Sequence, residues 1–146
     1  MSHVRQQIRE AAATTLTGLA TTGARVFQSR LRPLRDIDLP CLLITTDDEQ
    51  IETVGISPHP MLERQLALKV RAVAKDTTDL DDALDQMLVE IETALDGATF
   101  NGLADSIALT GIAIEMSDEL EKPVGVATAT YQVNYYTAAG SPGTAL

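Results

Sequence analysis

A single cysteine, Cys41, leaves the chain no internal disulfide and suits a reducing compartment. Its setting, "LPCLLI", is that of a small buried hydrophobe. No apolar run approaches the roughly 20 residues that a membrane-spanning helix needs. Met1 to Ala13 is polar and helical in pattern, without the apolar core of a secretory signal. Histidine is equally scarce. His3 sits at a terminus expected to fray, His59 lies between two prolines, and neither has a partner at metal-ligand spacing.

The motifs of common chemistries are missing as well. There is no glycine-rich dinucleotide or phosphate loop and no nucleophile elbow. "DLDDALD" has the acidity of a calcium loop, but it lacks the glycine and closing glutamate at the required spacing and falls inside a helix pattern. It reads instead as the acidic first turns of a helix, where carboxylates complement the macrodipole. With 21 acidic residues in the chain, some carboxylate pair can always be assembled, so acidity alone is no evidence of acid–base catalysis. The residues predict no enzyme activity, no catalytic or metal site and no cofactor.

What is present is a globular composition: 146 residues, 45% hydrophobic and 22% charged, enough for one domain with a single core. The net charge of -10 is unevenly divided. Residues 1–35 hold six arginines against Glu10 alone, a balance of +5, so the remainder carries -15. A surface this acidic will not wrap nucleic acid, which needs a positive field. The basic third can still meet an acidic partner, another copy of the chain included. Arg30, Arg32 and Arg35 form a cluster suited to gripping phosphate or an acidic protein surface, or else a solvated loop; Leu31 and Leu34 between them point to packing.

Apolar periodicity predicts an amphipathic helix over 2–17, a short strand at "RVFQ", a turn-rich link at "RPLRD" and a buried strand over 39–46. Residues 47–60, with Asp47, Asp48, Glu49 and Glu52 followed by Gly55, Pro58 and Pro60, predict a long, mobile acidic loop carrying at most a weak strand over 51–56. "MLERQLALKVRAVAK" alternates as a half-buried strand, with Arg64 misplaced on its apolar side. A helix follows within 77–97, with Thr78 and Asp81 as a capping-box variant, Gly97 closing it, and Leu80, Leu84, Met87, Leu88, Ile91 and Leu95 as its stripe. Two strands, "IALTGIAIEM" and "VGVATATYQVNYY", close the chain as an antiparallel hairpin around an acidic turn with Glu119 and Glu121, leaving a flexible tail over about 138–146. The expected fold is α+β, a single domain with a mixed, mostly antiparallel β-sheet and two α-helices packed on one face.

The last strand is unusual. Its even positions include Thr128, Thr130, Gln132 and Asn134, a polar face without charge where a solvent face would carry Lys and Glu. Such a face can lie against another subunit without burying unpaired charge, line a channel that DNA must pass, or simply face water.

"LERQLALKVRAVAKDTTDLDDALDQMLVEIETAL" followed by "IALTGIAIEMSDELEKPVGVATATYQVNYYTAAG" resembles the tail terminator (tail completion) proteins of long-tailed phages and prophages. "GARVFQSRLRPL" fits the opening of that family too. The resemblance implies an α+β subunit that assembles with itself into a hexameric ring at the head-proximal end of the tail. There it stops polymerisation of the tail tube protein and offers a surface to the head–tail connector, while DNA passes without specific binding. The implied location is the virion, with the host cytoplasm during assembly. Arg30, Arg32 and Arg35 would then meet acidic residues 47–52 or 115–121 of a neighbour, and the row Thr128 to Asn134 would face subunit or tube. Other readings are another ring-forming connector or tube component, and a small enzyme.

Overall fold

The computed structural model describes residues 2–28, 38–56, 58–75, 78–117 and 124–146. Helix α1 (Val4–Leu16) is followed by strands β1 (Val26–Phe27), β2 (Cys41–Val54) and β3 (Met61–Lys75), then helix α2 (Leu80–Leu95) and strands β4 (Ser106–Ser117) and β5 (Val124–Ala138). They form one five-stranded sheet in the order β1-β2-β3-β5-β4. Among the described residues, only the β1–β2 pair is parallel. The expected α+β class, with a mixed, mostly antiparallel sheet and two helices, is the observed one.

Each helix forms where the sequence places a 3.6-residue apolar stripe. On α1, Val4, Ile8, Ala12, Ala13 and Leu16 are buried. On α2 the buried set is the predicted stripe, Leu80 to Leu95. Burying such a stripe stabilises the fold by about 1.5–3 kcal/mol per large side chain. The stripes meet the inward residues of the sheet: Leu42 and Ile44 of β2, Leu66, Leu68 and Val70 of β3, and Ala127, Ala129, Tyr131 and Val133 of β5. Gly125 lets α2 lie close, since a Cβ there would stand 2.8 Å from Leu84 Cδ1.

The helix ends depart in detail from expectation. Asp79, not Thr78, is the N-cap of α2, and its side chain makes no capping bond. The acidic first turn, Asp81 and Asp82, supplies the favourable dipole interaction instead. Gly97 does follow the helix with φ +65, the left-handed conformation that glycine adopts without strain. His3 is not frayed: it is the N-cap of α1, its Nδ1 accepting from the Arg5 N–H at 3.1 Å. Burial, then the nearby Arg64 charge, lower its pKa.

The largest correction concerns residues 47–60. The predicted acidic loop is strand as far as Val54, paired with β3 down to Val54↔Met61, so the weak strand foreseen over 51–56 is the far end of β2. The acidic residues interrupt the ladder by a single β-bulge between Thr46 and Glu49. Asp47 and Asp48 oppose one residue there, and the parity of inward positions changes from even to odd. The charge is absorbed by cations on neighbouring elements. Lys69 Nζ lies 3.1 Å from Asp47 Oδ2, and Arg5 donates to the carbonyls of Thr46 and Asp47.

Glu49 turns inward at the bulge and meets the arginine that looked misplaced. Arg64 Nη1 is 3.1 Å from Glu49 Oε2, with side-chain exposures of 8% and 6%. Arg64 Nε donates to Thr137 Oγ1 at 3.0 Å, and the Tyr135 hydroxyl donates to Glu49 Oε1. The Arg64 guanidinium also lies 5.9 Å from the centre of the Tyr135 ring. This closed network ties together β2, β3 and β5.

The tail expected to be flexible folds back. Leu146 N–H bonds to the Tyr136 carbonyl at 2.9 Å, Val4 N–H bonds to the Pro142 carbonyl at 2.8 Å, and Gln7 Nε2 reaches the Gly143 carbonyl. The link "RPLRD" lies outside the described residues.

A buried ion pair costs most when one partner is removed. Arg64→Met should destabilise the chain by about 3–5 kcal/mol in urea denaturation, because Glu49 is left buried with an uncompensated charge. The triple change Glu49→Leu, Arg64→Met and Tyr135→Phe should recover most of that loss. An Arg64→Met cost below about 1 kcal/mol would show that the network does not constrain the fold.

Candidate interaction surface

The helices cover one face of the sheet, and the row Thr128, Thr130, Gln132 and Asn134 lies on the other. All four are half-buried, alternating with buried Ala127, Ala129, Tyr131 and Val133. They bond among themselves and to β4: Gln132 Nε2 to Asn134 Oδ1 at 3.2 Å, and Asn134 Nδ2 to Ser106 Oγ at 3.1 Å. The face as a whole is not neutral, however. On β3, Lys69 stands opposite Thr130 and Arg71 opposite Thr128, while β4 places Ala113 opposite Thr128 and Ala108 opposite Gln132. The long side chains of β3 therefore flank the short ones of β5, which an individual strand cannot reveal.

The acidic candidates separate into two kinds. Asp47 and Glu49 are engaged with Lys69 and Arg64 of their own chain. Asp48 and Glu52 are exposed, and Glu52 stands directly across from Glu63, an unfavourable like-charge pair. The bulge frames an open depression of about 620 Å³ lined by Arg5, Thr46, Asp47, Asp48, Glu49, Ile51, Ala67 and Lys69. Arg30, Arg32, Arg35, Glu119 and Glu121 fall outside the described residues.

Sequence reasoning did not single out β4. Among the described residues it is an edge strand, paired only with β5. A second bulge, between Leu109 and Gly111, brings Ile107 and Leu109 onto the same face as Ile112, Ile114 and Met116. That is the helix side, yet Leu109 is 38% exposed, Ile112 and Ile114 are 45% exposed and Met116 is 49% exposed. The cause is geometric: α2 packs on β3 and β5 and stops short of the edge. An apolar ledge beside unpaired backbone groups is a site where another strand or chain can add.

At one end of this ledge lies a cleft of about 130 Å³ between the last turn of α2 and β4, lined by Glu92, Leu95, Asp96, Gly97, Ile107, Leu109 and Tyr131. Tyr131 is only 4% exposed and its hydroxyl has no hydrogen-bond partner among the described residues. Burial, with the charges of Glu92 and Asp96, pushes its pKa up to about 12. The last turn of α2 contains no basic residue, so the negative end of the helix dipole adds to the two carboxylates. The sequence signal for this cleft was the absence of a cation at a helix C-terminus.

Among the described residues, no group of three or more His, Cys, Asp or Glu side chains is placed to hold a metal ion. None of the described helices is long and apolar enough to cross a membrane. Cys41 is buried, as its setting predicted.

No protein-family model matches the chain, and no curated protein matches it. Among solved structures, it is similar to a chain from the virion of a native gene transfer agent particle, at 13% identity and a TM-score of 0.42. The match covers 90% of this chain and 92% of that one. A likeness this loose fixes no function.

A buried hydroxyl without a partner costs about 1–3 kcal/mol. Tyr131→Phe should therefore leave the isolated chain as stable as the parent or up to about 1 kcal/mol more stable. Because the folded chain holds the Tyr131 proton to about pH 12 while the unfolded chain releases it near pH 10, this residue's share of stability falls as pH rises through that window. Tyr131→Phe should lessen the alkaline loss in denaturant titrations. A variant clearly less stable at neutral pH would show that the hydroxyl has a partner.

Proposed function

We propose that the chain is a structural virion assembly protein, a subunit of a ring that caps the phage tail tube, ends its polymerisation and meets the head-side connector. The observation that carries this reading is the pair of unlike sheet edges. Among the described residues, the two-residue strand β1 forms one edge, and the long, apolar β4 with its exposed side chains forms the other. An edge of one kind meeting an edge of the other is a heterologous contact, the kind that closes into a ring when the rotation permits. The resemblance of the β3–α2 and β4–β5 stretches to tail terminator proteins supports the same reading and supplies the ring number, six, and the partners: tube protein, connector and passing DNA. The row Thr128 to Asn134 and the exposed end of the β2–β3 hairpin, where Ile56 is fully exposed, are surfaces available to those partners.

Light scattering with electron microscopy on the purified chain tests the proposal. Closed rings that do not stack are the expected outcome. Long tubes would make the chain a tube subunit, and a monomer under all conditions would contradict ring formation. Charge complementarity at the contact also predicts that salt weakens assembly, because exposed charges are screened over about 8–10 Å at physiological ionic strength. Arg30→Glu with Arg32→Glu should lower the sedimenting mass at low salt while leaving thermal unfolding within about 0.5 kcal/mol of the parent.

A further inference from the structure

We infer that the cleft between α2 and β4 is a binding site for a small organic cation with N–H donors, an alkylammonium or alkylguanidinium group. The site stands on the geometry of one chain, whether or not copies assemble into a ring.

The end of α2 gathers negative charge that nothing described offsets. Glu92 and Asp96 lie four residues apart, so their carboxylates share one face of the helix end and repel each other. Both also stand at the negative end of the helix dipole, where a carboxylate is disfavoured and a cation favoured. The last turn of α2 contains no basic residue, and none of the described residues lining the cleft is basic.

A second observation, independent of that charge, points into the same space. Tyr131 lines the cleft and is only 4% exposed, yet its hydroxyl has no hydrogen-bond partner among the described residues. Buried polar groups are ordinarily paired. Burial, with the charges of Glu92 and Asp96, keeps this hydroxyl protonated, so it offers neutral lone pairs to a donor.

The lining selects the ligand. Two carboxylates and a hydroxyl can all accept, and a cation with several N–H groups answers all three. A neutral ligand leaves the charge unbalanced, and an anion is repelled. Leu95, Ile107 and Leu109 provide apolar walls for a short alkyl stem. A calcium or zinc ion is not the fitting occupant, since two carboxylates fall short of its usual ligand number and no larger group of His, Cys, Asp or Glu exists among the described residues. At about 130 Å³ the cleft holds one such head group and stem, and falls below the roughly 300 Å³ at which drug-sized sites begin.

Methyl NMR of the full chain, titrated with n-propylammonium and with n-propylguanidinium, tests the site. Saturable shifts at Leu95, Ile107 and Leu109 with a roughly millimolar midpoint are expected. Saturation by one cation alone narrows the class to that head group. The neutral isostere n-propylurea should bind about tenfold more weakly or worse. Glu92→Gln with Asp96→Asn should weaken cation binding about tenfold or more, and Tyr131→Phe about threefold or more. Neither variant should lower the melting temperature, because one removes a like-charge pair and the other an unpaired hydroxyl. No saturable shift with either cation would mean that only water reaches the hydroxyl, and would overturn the site. Equal binding of n-propylurea, or binding unchanged in either variant, would overturn it too. The comparison with n-propylurea uses the parent chain alone, so it decides the matter even if a variant unfolds. Acetyl-arginine methylamide separates the sources. Binding equal to that of n-propylguanidinium assigns the cation to a basic side chain of another protein chain, and binding at least about tenfold weaker assigns it to a free small molecule.

Discussion

Two helices cannot cover five strands. The apolar stripes of α1 and α2 are each one helix wide, and together they shield β2, β3 and β5. Among the described residues, the helix side of β4 and much of the other sheet face stay open as a result, although Cys41, Thr45 and Val73 on that other face are buried. A soluble monomer usually protects such an edge with charge, proline or a covering segment. Here four large hydrophobic side chains of β4 remain more than a third exposed, a strong reason to expect that another chain completes the structure.

The two β-bulges decide what each side of the sheet presents. In β2 the bulge turns Glu49 inward to meet Arg64 and Tyr135, converting an acidic stretch into a fixed strand. In β4 the bulge keeps the apolar residues on one face although their spacing in the sequence changes parity at Thr110. Both bulges lie where a side chain must be redirected, and both leave residues in positions that simple alternation would forbid.

This explains which features could be read in advance. The α2 stripe and the alternation of β3 and β5 were legible because local periodicity and tertiary burial agree there. The strand character of 47–54 was hidden, because the Asp47 and Glu49 carboxylates are paired with Lys69 and Arg64 on the neighbouring strand and Arg5 of α1 holds the Thr46 and Asp47 carbonyls. The order of the final eight residues was hidden for the same reason: it depends on bonds to α1 and β5. The uncharged row of β5 was read correctly as a row, while its charged flank on β3 needed the register to become visible. The cleft at Tyr131 depends on how far α2 extends across the sheet, a property of packing that a single segment does not encode.

The same geometry relates charge to assembly. Exposed ion pairs contribute little stability each, about 0–1 kcal/mol, but can select partners and set register, so in the proposed assembly the apolar ledge would supply most of the contact energy. The central claim is that β4 is an edge only in the isolated chain. Hydrogen–deuterium exchange over residues 106–116, in the monomer at high salt and in the assembled form at low salt, tests it most directly. The account predicts that the outward amides of β4 exchange quickly in the monomer and become strongly protected on assembly, with the interior of β3 protected in both. Equal, fast exchange of β4 in the two states would contradict it.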